Sequence, residues 1–121
     1  VMKFKESKSI YLQIADRICD EILQRQYKDE ERIPSVREYA ATVEVNANTV
    51  VRSYDYLQGL DIIYNKRGLG YFVVQGACER ILELRKEIFM RDELPDFFRQ
   101  LRMLGIPLKE IEQLYQTFLD K

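Results

Sequence analysis

The chain has 121 residues, 46% of them apolar and 32% charged, and its 19 Lys and Arg nearly balance its 20 Asp and Glu to leave a net charge of −1. That length holds one compact domain, or a small domain with an appendage, and the balance of residue types is that of a globular chain rather than a disordered one. Apolar runs are far too short to span a bilayer, and with no histidine and only two distant cysteines, Cys19 and Cys78, neither a zinc site nor a histidine-assisted nucleophile can be assembled.

No cofactor is therefore expected, and both cysteines read as small apolar fillers of helix faces. No apolar stretch near the start resembles a secretory signal, so the cytoplasm is the expected location. With no metal set, phosphate loop or converging carboxylate pair, the chain does not read as an enzyme. The slight acidity argues at first against a nucleic-acid partner, but what matters is whether cations share a face. Between residues 62 and 76 the only charges are Lys66 and Arg67.

Residues 9 to about 26 place Ile10, Ile14, Ile18 and Ile22 one turn apart, with Tyr11, Ala15, Cys19 and Leu23 beside them, which predicts an amphipathic core helix with Ser9 as its N-cap. After the polar segment YKDEERI, Ser35 and Glu38 form a capping box that opens a short helix from Val36 to about Val43. Arg37 lies in its first turn, where free amide donors can hold a phosphate.

A third helix, from near Asn46 to about Leu60, follows within a few residues, and two short helices so closely joined predict a helix-turn-helix. Val50, Tyr54 and Leu57 share one side of it; Asn48, Arg52 and Asp55 lie opposite, flanked by Ala47 and Val51. A helix laid in the major groove needs such groups. Asparagine can bond an adenine edge twice, arginine a guanine edge, and Ala47 or Val51 can meet a thymine methyl. Asn46 fits either a base contact or the N-cap. The next segment, DIIYNKRGLGYFVVQG, reads as a β-hairpin whose Gly68 and Gly70 permit a tight turn that lifts Arg67 clear of the body: a wing.

From Cys78 onward the pattern is helical, with apolar stripes at Ile81, Leu82, Leu84, Ile88 and Phe89, then at Phe97, Phe98, Leu101 and Leu104, then at Leu108, Ile111, Leu114, Tyr115, Phe118 and Leu119. Pro95 and Pro107 suit first turns of helices, and Gly105 punctuates the gap between the last two. Three short helices can hardly enclose the roughly 300 Å³ of a small-molecule site. Dimerisation uses them better: Ile81, Leu82, Phe89, Phe97, Phe98, Leu101, Leu104, Tyr115 and Phe118 offer more apolar area than one small bundle hides. The competing reading packs these stripes within one chain, and the sequence identifies no effector.

The expected architecture is mainly α with a small β-hairpin: a winged helix-turn-helix domain over residues 1–76 and a helical dimerisation region over 77–121. The motifs YLQIADRI, RIPSVREYA, VNANTVVRSYDYL and RGLGYFV, in that order and spacing, resemble the winged helix-turn-helix of GntR-type transcriptional regulators over roughly residues 9–74, and VNANTV with a short helical tail is most similar to the YtrA-like subfamily. The resemblance implies a bacterial transcription factor, usually a repressor, that binds a near-palindromic operator as a homodimer. By motif position it implies DNA contacts at Ser35 and Arg37, at Asn46, Asn48, Thr49 and Arg52, and at Arg67 and Gly68. Thr49 could equally turn inward and brace the core. This chain departs from the family pattern where glycine is common, with Glu30 and Asp61, and where proline is common, with Ala47. The rival from another class is a winged helix that binds protein and never touches DNA.

Overall fold

The computed structural model describes residues 2, 4 and 8–121. Helix α1, Ile10–Leu23, follows the predicted stripe: Ile14, Ile18 and Ile22 are fully buried, with Ala15 and Cys19 beside them. Ser9 sits at the N-cap with extended backbone, but its hydroxyl makes no capping bond. Helix α2, Val36–Val43, opens on the predicted capping box: Ser35 Oγ accepts from the Glu38 N–H at 3.1 Å, and Glu38 Oε1 accepts from the Ser35 N–H at 2.8 Å. It ends at Glu44, whose left-handed backbone (φ 57°) reverses the chain.

Three residues, 44–46, separate α2 from α3, Ala47–Gly59. Val50, Ser53, Tyr54 and Leu57 bury one face of α3. Polar atoms in this interior are bonded rather than orphaned: Tyr54 OH donates to the Pro34 carbonyl at 2.6 Å, Ser53 Oγ to the Tyr11 carbonyl at 2.7 Å, and Tyr39 OH to the Glu21 carboxylate at 3.2 Å. These bonds tie α3 to the loop before α2 and to α1, and α2 to α1. Each fully buried large side chain adds about 1.5–3 kcal/mol by leaving water.

Strands β1, Ile63–Lys66, and β2, Gly70–Val73, form an antiparallel hairpin with Ile63 opposite Val73 and Lys66 opposite Gly70. Residues 30–33, which the sequence presents as part of a polar loop, line the other edge of β2. The Glu30 N–H donates to the Val73 carbonyl at 2.8 Å, the Val73 N–H to the Glu31 carbonyl at 3.0 Å, and the Ile33 N–H to the Tyr71 carbonyl at 2.9 Å. Glu30 and Asp61, which stand where the resembled pattern commonly has glycine, both have left-handed backbones (φ 67° and 60°).

Helix α4, Ala77–Ile88, starts where the Gly76 N–H donates to Asp29 Oδ2 at 3.0 Å, and Arg80 Nε reaches back to the Leu60 carbonyl at 3.1 Å. Ala77, Cys78 and Ile81 are buried in the first of two compact units, Val1–Leu82; Glu83–Lys121 is the second. In the second unit the helix widens into a π-turn over Phe89–Glu93, where the Leu94 N–H bonds the Phe89 carbonyl five residues back, and then resumes as α5, Leu94–Leu104. Pro95, in the first turn of α5, explains the widening: it has no N–H to donate, and its ring would press on the carbonyl four residues back in an ordinary α-turn. Gly105 ends α5 with φ 69°, and the Ile106 N–H closes on the Leu101 carbonyl at 2.9 Å in a Schellman turn. Helix α6, Leu108–Leu119, follows, with Pro107 at its N-cap rather than inside its first turn. Among the described residues no helix is long and apolar enough to cross a membrane.

Candidate nucleic-acid interface

The elements expected to read DNA lie at the N-terminus of α2, along α3 and at the hairpin turn. Ser35 is half-buried, with its hydroxyl engaged in the capping box, and Arg37 is exposed two residues on. Bonds from Ser35, the backbone N–H foremost, hold the Glu38 carboxyl below the usual carboxylate range, assisted by the charge of Arg32. The cap therefore stays formed well below neutral pH.

On α3, Asn46 is occupied as a cap: its Oδ1 accepts from the Asn48 N–H at 2.8 Å, one of its two readings. Asn48 and Arg52 are exposed one turn apart, opposite the buried face, with Ala47, Val51 and Asp55 exposed around them. Thr49 is half-buried at the edge of that face. The Arg52 guanidinium lies over the ring of Tyr11 on α1, 4.1 Å from its centroid, and Tyr56 meets the same ring edge-on at 6.2 Å.

In the wing, Gly68 (φ 80°) and Gly70 (φ 112°) both adopt backbones that favour glycine. Arg67, Gly68 and Leu69 form the exposed tip, and Lys66 lies over Phe72, 4.8 Å from its centroid. One side chain that joins these segments carries no signal in the sequence. Arg32 Nε donates to the Leu69 carbonyl at 3.1 Å, and its guanidinium lies 4.0 Å from Glu38 Oε1. This single side chain bridges the wing tip and the first turn of α2, so the segments bearing Arg67 and Arg37 meet at one end of the unit. A Cβ on Gly70 would come within 2.8 Å of Arg32 Nε, so any other residue there would displace the arginine side chain in addition to straining the backbone. No local pattern announces this contact, because its partner lies 37 positions away.

The residues expected to pair subunits divide. Leu82, Phe89, Phe97, Phe98, Leu104, Tyr115 and Phe118 are exposed, Phe118 to 70%. Ile81 is only 1% exposed and fills the core of the first unit, and Leu101 is buried as well, so neither offers surface to a partner. Met103, Leu108, Leu114 and Leu119 add to the exposed apolar side chains, and α6 buries none of its residues.

A short capped helix, a three-residue turn, a second helix with a polar outer face and a glycine-tipped hairpin define a winged helix-turn-helix protein. The family model for bacterial regulatory proteins of the gntR family matches residues 10–73, and the chain belongs to that family of DNA-binding transcriptional regulators. It is 35% identical to the HTH-type transcriptional regulator YhcF of Bacillus subtilis, over 98% of this chain and 96% of the relative. It is 28% identical to the HTH-type transcriptional repressor YtrA of the same organism, over 90% and 83%. Among solved structures, a transcriptional regulator of the GntR family from Bacteroides thetaiotaomicron superposes with a TM-score of 0.86 at 63% identity, over 92% of this chain and 97% of that one.

Proposed function

We propose that the chain is a cytoplasmic repressor that binds a near-palindromic operator as a homodimer. Residues 1–76 read the DNA and the region 77–121 joins the subunits, apart from Ala77, Cys78 and Ile81, which fill the core of the first unit. The observation that carries the reading is the outer face of α3, where Asn48 and Arg52 stand exposed opposite a fully buried Val50, Tyr54 and Leu57. These two contact base edges in the major groove, while Ser35 and Arg37 at the start of α2 and Arg67 and Gly68 in the wing engage the backbone. Asn46 and Thr49 brace the first turn of α3 from the cap and the flank.

Repression is supported by the similarity to YtrA, and dimerisation by the apolar side chains left uncovered along the tail. Two reading heads related by a twofold axis read two inverted half-sites. The test is selection of bound fragments from random duplexes with the purified chain. Enrichment of one inverted repeat is expected. A pool that stays random, with no salt-dependent association, would instead favour the protein-binding winged helix.

A further inference from the structure

We propose that Tyr11, on α1 and outside the elements that read DNA, is a positioning residue that presets Arg52 for the operator; the proposal rests on the reading of α3 above. Three residues of α3 converge on this tyrosine. Ser53 Oγ donates to its backbone carbonyl at 2.7 Å, Tyr56 packs against its ring edge-to-face with planes 79° apart, and the Arg52 guanidinium covers the ring at 4.1 Å. The backbone bond and the Tyr56 contact hold the ring still, and the ring in turn holds the cation.

A guanidinium lying over an aromatic ring is attracted to the face of that ring, which leaves its planar fork of N–H groups available to other acceptors. That planar fork is what a guanine edge or a phosphate accepts bidentately. Among the described residues no acid forms an ion pair with Arg52, so no carboxylate competes for the fork. An arginine without support on an exposed helix samples many rotamers and loses that freedom on binding; the Tyr11 ring removes most of the loss beforehand. Arg52 thus reaches DNA already aimed, although Tyr11 itself touches none.

The experiment measures affinity of the full chain for its selected duplex, with wild type, Tyr11→Leu, Tyr11→Phe, Arg52→Ala and the double variant Tyr11→Leu/Arg52→Ala. Tyr11→Leu is expected to weaken binding by about threefold to tenfold, with the salt dependence unchanged because no charge is lost. Tyr11→Phe should bind as wild type, and Tyr11→Leu should add nothing once Arg52 is alanine. Fluorinated phenylalanines at position 11 keep the shape while draining the ring's electron density, and affinity should fall with each fluorine; this series covers the case in which leucine harms folding. A loss from Tyr11→Leu that is equal with and without Arg52, or affinity indifferent to fluorination, would overturn the proposal. If Arg52→Ala alone bound as wild type, the reading of α3 would fail, a separate result.

Discussion

In the function proposed above, Asn48 and Arg52 carry information about sequence, whereas Arg67 carries charge. Arg52→Ala and Asn48→Ala are each expected to relax preference at one base position by about 1–3 kcal/mol. Arg67→Ala should weaken every duplex alike and lower the salt slope by about one. Competition binding against single-position operator variants checks both, and equal affinity of all three variants and wild type for the selected site would remove the groove reading. The tyrosines make a second forecast. Burial first, then the neighbouring Glu21 charge, pushes the Tyr27 hydroxyl up to about 12, and burial raises Tyr39 and Tyr54 as well. A raised folded value means that the stabilisation is complete below the unfolded value of 10.0 and is lost as pH rises through about 12. The denaturant midpoint should therefore hold from neutral pH to about 10 and then fall; constancy to pH 12 would contradict it. The outward placement of Asn48 and Arg52 was legible in the sequence because helical period alone fixes it. The Tyr11 to Arg52 and Arg32 to Leu69 contacts were not, since each joins side chains from separate elements.

At the scale of elements, local chemistry was readable where both partners lie within one turn. The Ser35 and Glu38 box placed the start of α2 to the residue, and the start of α3, expected near Asn46, falls at Ala47 with Asn46 as its cap. The pairing of residues 30–33 with β2 was hidden because a polar run with no alternation carries no strand signal. The wing turn offers a graded test. Gly68→Ala meets open space and should cost about 1 kcal/mol from its φ alone. Gly70→Ala combines a φ of 112° with a Cβ pressed on Arg32 and should cost about 1–3 kcal/mol, while also freeing the tip from α2. Denaturant unfolding ranks the two, and the reverse order would refute the role given to Arg32. Asp61→Gly should stabilise by up to about 1 kcal/mol by relieving a left-handed backbone. Glu30→Gly should gain less, because Glu30 Oε2 also accepts from Tyr64 OH at 2.5 Å.

For the molecule as a whole, the tail stripes gave the helices but not their joints. The sequence offered three separate helices; the chain instead winds from α4 through Phe89–Glu93 into α5 without a loop, because Pro95 is accommodated by a wider turn rather than a break. The apolar side chains left exposed in the second unit should make the chain dimeric in solution. A Phe97→Asp/Phe118→Asp variant is expected to sediment as a monomer, to keep its helical circular dichroism and to lose most of its affinity for the full inverted repeat. A wild type that sediments as a monomer at micromolar concentration would overturn the pairing role of the tail. The wide turn has a consequence for how such a tail can change. A π-turn corresponds to one extra residue wound into an α-helix. Because that residue is taken up in the wide turn rather than in a run of ordinary α-winding, the side chains of α5 keep close to the angular positions they would hold had it been absent. The tail can thus carry one residue of added length without re-aiming the apolar stripe that α5 turns outward.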